Sequence, residues 1–147
     1  MIPPARLVPP ALLTALLLSG CVSPAWDDHD YALKAGKTAE SAASAVRFAR
    51  SVVAYRDRMT GPYAEVVLTE AVHDLGSVND QFGGVQPPSD ASDRIRDEVL
   101  RLTEKAENEV EDLLIQTRRD GVKDPAAAVR DLGRLASELS DLAERHK

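Results

Sequence analysis

Cysteine is nearly absent from this sequence: Cys21 stands alone, so no disulfide can form within the chain. Histidine is almost as scarce. His29, His73 and His146 are the three present, and they offer little acid–base machinery. Basic residues are outnumbered by acids, 18 against 24, for a formal charge of −6. That balance does not suit nucleic acid, whose binding rests on neutralising phosphates with Lys and Arg. No Gly-x-Ser-x-Gly, phosphate loop or His-Glu-x-x-His occurs, and the chain reads as a non-enzyme with no catalytic residue to name. Long apolar runs are missing too. Leu7 to Leu18 is the longest, interrupted by Thr14, and it falls short of the ~20 residues that span a bilayer core.

That run has another use. Residues 1–20 carry one basic residue, Arg6, and no acid, then the apolar stretch, then the small residues Ser19 and Gly20. This is the layout of a secretory signal peptide. Pro9-Pro10 would break a spanning helix at its start, which favours a cleaved leader over a permanent anchor.

The leader ends in Leu18-Ser19-Gly20-Cys21. This ending resembles the lipobox of bacterial lipoproteins, a resemblance confined to the leader. It implies a diacylglyceryl group joined to the Cys21 sulfur by a thioether, and cleavage between Gly20 and Cys21. Two acyl chains anchor stably, at ~0.8 kcal/mol per buried methylene. The expected location is extracytoplasmic: the outer face of the plasma membrane or, with Val22 rather than aspartate after the cysteine, the outer membrane of a two-membrane cell. Removal of Arg6 takes the formal charge to −7. A body so acidic will not lie flat on an anionic membrane, so the lipid must hold it.

Residues 21–30 read as a tether, with Pro24 and the acidic run Asp27-Asp28-His29-Asp30. From Tyr31 to Lys147 the chain is rich in Ala, Leu, Arg, Glu and Asp, poor in aromatics, and without the alternation of a strand. Four helical stripes appear. The first, over about Tyr31 to Met59, runs through Ala32, Ala35, Ala39, Ala42, Val46, Ala49 and Val53. The second, over about Pro62 to Phe82, uses Ala64, Leu68, Ala71, Leu75, Val78 and Phe82. The third begins at a Ser89 or Asp90 cap and reaches Arg119 through Ile95, Val99, Leu102, Ala106, Val110 and Leu113. The fourth starts at Asp124-Pro125 and presents Ala128, Leu132, Leu135, Leu139 and Leu142. Short connections predict an all-α, antiparallel up-down-up-down four-helix bundle.

Bundles can hold carboxylate–histidine metal centres, which need glutamates and Glu-x-x-His pairs pointing inward. Glu70-Ala-Val-His73 matches once, while Glu138-Leu-Ser-Asp141 has aspartate where histidine is needed; Glu40 and Glu107 are nominal partners. The stripes turn all of these away from the core, and the expectation is no metal and no other cofactor beyond the lipid. Glu70 and His73 remain weak candidates, as do Asp27, Asp28, His29 and Asp30, whose hard oxygens and imidazole suit a divalent cation. Glu104, Glu107 and Glu111 form an acidic ridge that reads as a solvated face.

The first helix carries a second apolar line, Ala45, Phe48, Val52, Tyr55 and Met59, rotated well over 90° from its alanine stripe. A helix in a simple bundle needs one apolar face. Two faces mean either burial between several helices or contact with another molecule, with Phe48, Val52, Tyr55 and Met59 as the anchors of an interface with a protein partner or a second copy of the chain. The expected role is a lipid-anchored scaffold or accessory protein of the cell envelope. The alternative is a small-ligand or metal-ion binding lipoprotein.

Overall fold

A computed structural model describes residues 25–147, so the leader, Gly20, Cys21 and the start of the tether lie outside the described residues. Four helices make up nearly all of it: α1 (Asp28–Ala54), α2 (Gly61–Gly83), α3 (Asp90–Arg119) and α4 (Pro125–Arg145), with a short 3-10 turn at Arg56–Arg58. There is no strand among the described residues.

Local chemistry explains most boundaries. The Asp27 carboxylate accepts the Asp30 amide at 2.8 Å, Ser89 accepts the Ser92 amide at 3.3 Å, and Asp124 accepts the Ala127 amide at 2.9 Å. Each supplies a partner to an N–H that the helix itself cannot satisfy. Pro62 sits in the first turn of α2, where a missing N–H costs nothing. Gly121 ends α3 with φ at 86°, its amide and that of Asp120 both returning to the Gln116 carbonyl.

Two boundaries differ from the sequence expectation. The first helix starts at Asp28, so Asp28, His29 and Asp30 belong to its first turn rather than to a tether. It also stops at Ala54 instead of continuing to Met59. Tyr55 to Arg58 are all exposed, so nothing packs there to hold a further helical turn.

The helices pack around one core. It is made of α1 alanines and valines, the leucines of α4, and the predicted stripes of α2 and α3. The closest partnership is α1 with α4, followed by α2 with α3; α1 also touches both α2 and α3, while α3 and α4 meet only thinly. The small residues of α1 permit the close approach. A Cβ built on Gly36 would lie 2.6 Å from the His146 carbonyl oxygen, a backbone atom that cannot swing away.

Polar contacts bind the helices at both ends. Arg50 donates to the Val129 carbonyl at 3.1 Å, and Arg118 to the Thr69 hydroxyl at 3.2 Å. At the other end, Arg96 donates to the Gly83 carbonyl, and Arg145 pairs with Glu98. Tyr31 is fully buried there against Phe82, ring centroids 5.3 Å apart.

Asp28 joins the first turns of α1 and α3. Its Oδ1 accepts the Ser89 hydroxyl at 2.5 Å and the Ser92 hydroxyl at 2.6 Å. Those bonds, that from Ser89 foremost, hold its pKa below the ordinary carboxylate value. A depressed folded pKa gives stability that is present above the unfolded value, near 3.9, and lost as the pH falls through the folded one. Asp28→Ala should therefore melt lower than the parent at pH 7. Thermal scans by circular dichroism should find that gap closing as the pH falls below the unfolded carboxylate value, about 3.9. A gap that stays constant with pH would exclude the carboxylate as its source.

Candidate functional site

The second apolar line of α1 divides when the other helices are added. Ala45 and Val52 are buried, Val52 to 4% exposure, because α2 and α3 as well as α4 pack on α1. Val52 is thus a core residue, which corrects its assignment to an interface. Met59 is half-buried and lies outside α1, past the 3-10 turn, so it does not continue the line either. Phe48 and Tyr55 keep 54% and 53% of their surface exposed. Burial between several helices accounts for the inner members of the line, and leaves the two aromatic rings uncovered.

Phe48 stands on the wall of an open cleft of about 650 Å³ between α1 and α2. Ser44, Arg47 and Ser51 line the α1 side with it, and Asp74, Ser77 and Val78 line the α2 side. Arg47 is turned towards α4, donating to the Ser140 hydroxyl at 2.9 Å. Tyr55 flanks the far end of the same helix, with the Arg58 guanidinium 5.8 Å from its ring centre. On α2, Tyr63 and Val66 add two more exposed apolar side chains, Val66 at 67%. With Glu70 and His73 they follow three-four spacing along one exposed strip of that helix.

The weak metal candidates fare differently from one another. The carboxylates of Asp27, Asp28 and Asp30 are engaged. Asp27 caps α1, Asp28 binds the α3 serines, and Asp30 accepts Lys34 at 2.7 Å and the Trp26 amide at 3.2 Å. His29 is exposed at the start of α1. Glu70 and His73 do come together, joined by Asp74, with one ligand atom from each lying within 4.8 Å of the others. All three side chains are exposed, as the helical register requires for Glu70 and His73. Asp74 went unmarked in the sequence, although its place one turn after Glu70 makes the two neighbours.

Glu107 departs from the expected solvated ridge. It is half-buried over Gly76, where it accepts the Asn79 amide at 2.6 Å and ties α3 to α2. Glu104 and Glu111 remain exposed. Glu109, lying between them in sequence, has its pKa raised, chiefly by burial beside the thin α3–α4 contact.

No family model matches this chain, and no match is found among the curated proteins or the solved structures. Function must be argued from the molecule's own surface. Among the described residues, no helix is long and apolar enough to cross a membrane.

Proposed function

We propose that this chain is a lipid-anchored extracytoplasmic protein that acts by contact with another protein, as a scaffold or accessory component of the cell envelope. The contact face is the exposed side of α1 and α2. The observation that carries it is the pair Phe48 and Tyr55, two large aromatic rings left half-exposed on and just past a helix most of whose other apolar positions are buried. Aromatic side chains of this kind are the usual anchors of protein interfaces.

The anchor half of the proposal rests on Leu18-Ser19-Gly20-Cys21, with a diacylglyceryl group on Cys21 as its covalent lipid. Only Val22–Asp27 separate that cysteine from the first helical turn, a reach of about 20 Å when extended. The bundle is read as up-down-up-down and antiparallel. Supporting contacts pair early α1 with late α4 at Gly36 and His146, and late α1 with early α4 at Arg50 and Val129. Early α2 likewise meets late α3 at Thr69 and Arg118, and late α2 meets early α3 at Gly83 and Arg96. In that arrangement Phe48 and Tyr55 lie towards the end away from the membrane, about 30–40 Å along α1 at 1.5 Å per residue.

A cross-linking pull-down with the lipidated protein tests the contact face. Phe48→Asp/Tyr55→Asp should reduce recovery of the partner at least about tenfold, the loss expected when interface anchors are removed. Both positions are exposed, so the variant's melting curve should barely move. Equal recovery of the same protein by variant and parent would rule the face out.

A further inference from the structure

We infer that the partner presents a cationic amphipathic helix, which seats in the α1–α2 cleft with Lys or Arg side chains against Glu70 and Asp74. The inference rests on the proposal that this face is the contact face, and adds the chemistry of what it contacts.

Charge on α2 is one-sided. Between Gly61 and Gly83 the helix carries Glu65, Glu70, Asp74 and Asp80, and not a single Lys or Arg. The other three helices all mix both signs. None of the ion pairs among the described residues involves α2. Two arginines come near from neighbouring helices. Arg118 spends its guanidinium on the Thr69 hydroxyl, and Arg47, though it lines the cleft, donates to Ser140 on α4. Glu70 and Asp74 are therefore left as like charges one turn apart, an arrangement that mildly destabilises a helix. A cation from outside relieves it.

The geometry beside those carboxylates selects the form of that cation. Asp74 lies on one wall of the cleft and Phe48 on the other, with Ala45, Ala71 and Val78 among the lining. An open groove between two helices, with Phe48 and Val78 as its accessible apolar side chains, serines on both walls and Asp74 on the α2 rim next to Glu70, matches a helix with a narrow apolar stripe flanked by basic residues. Its apolar side meets Phe48 and its basic side meets Asp74 and Glu70. A solvated metal ion would satisfy the carboxylates and leave the apolar wall bare.

The test uses the lipidated full chain in nonionic detergent micelles, with protein-free micelles as the blank. The probes are a fluorescent Leu/Lys amphipathic helical peptide and a Leu/Glu peptide with leucines at the same positions. Anisotropy should report binding of the Leu/Lys peptide, weakening as salt is raised, and none of the Leu/Glu peptide. Glu70→Lys/Asp74→Lys and Phe48→Asp should each weaken binding about tenfold or more. Glu104→Lys/Glu111→Lys makes the same charge change at two exposed α3 positions, and should leave binding unchanged. Melting curves establish that each variant is folded.

Binding that ignores the α2 reversal, that falls equally in the α3 control, or that accepts the Leu/Glu peptide overturns the inference. So does self-association through Phe48, or zinc held by Glu70, His73 and Asp74, in a protein that ignores the Leu/Lys peptide. If Phe48→Asp/Tyr55→Asp still severs the pull-down in any of these cases, the contact face stands and only the partner's chemistry falls.

Discussion

Leu139→Ala should lower the free energy of unfolding by about 2–5 kcal/mol, the range for deleting a buried leucine side chain. Leu139 has no exposed surface and sits in the middle of α4. Its cost should lie towards the upper end, because neighbouring residues have little means of filling the space. On α1, the main packing partner of α4, the buried residues from Ala35 to Ala49 are a glycine, alanines and the single Val46, whose side chains are too short to move in. The helices themselves are held at fixed separation by Arg47 on Ser140 and Arg50 on Val129. For a chain this size the melting temperature should fall by the order of 10 °C. Ile115→Ala supplies the contrast. That residue is 38% exposed, and its loss should cost less than about 1 kcal/mol. Urea unfolding of both variants compares them directly; similar midpoints would mean that the α1–α4 seam is not the centre of the fold.

Much of this architecture is legible in the residues. Ser89, Asp124-Pro125 and Gly121 mark three helix ends by identifiable chemistry, and the stripes of α2, α3 and α4 enter the core nearly complete. The ends of α1 are harder for a physical reason. Asp27-Asp28-His29-Asp30 looks like a solvated run, and only the serine hydroxyls of α3, some sixty residues away, make Asp28 part of a helix junction. Between Tyr55 and Met59 there is no glycine or proline to signal a stop, so the helix ends where packing ends.

The exposed pair Phe48 and Tyr55 was half visible in the sequence. Periodicity alone reveals that α1 has a second apolar line, since Ala45, Phe48, Val52 and Tyr55 repeat at three-four spacing. It does not say how many neighbours α1 has. Three helices pack on it, and they consume Val52 while sparing Phe48 and Tyr55. Glu107 teaches the same lesson on α3. Its position outside the stripe suggested solvent, yet Gly76 leaves room for its carboxylate and Asn79 supplies a donor. Asp74 needed the α1–α2 cleft to give it meaning, because a lone aspartate on a helix surface carries no signal.

The largest expected effect belongs to Cys21→Ser. The thioether requires a sulfur, and serine offers none, so neither acyl chain can be attached. At ~0.8 kcal/mol per buried methylene, losing two chains removes the whole of the anchoring energy rather than part of it. The acidic bundle offers no substitute. It has an excess of carboxylates, and no helix among the described residues is able to span a membrane. Fractionation of cells expressing parent and variant, with mass spectrometry of the mature N-terminus, therefore tests the central claim most directly. The parent should be found with the membranes, beginning at a diacylglycerylated Cys21, and the variant should carry no lipid and leave the membrane fraction or be mislocalised. A Cys21→Ser protein that stays membrane-bound with its leader correctly removed would contradict the lipid anchor outright.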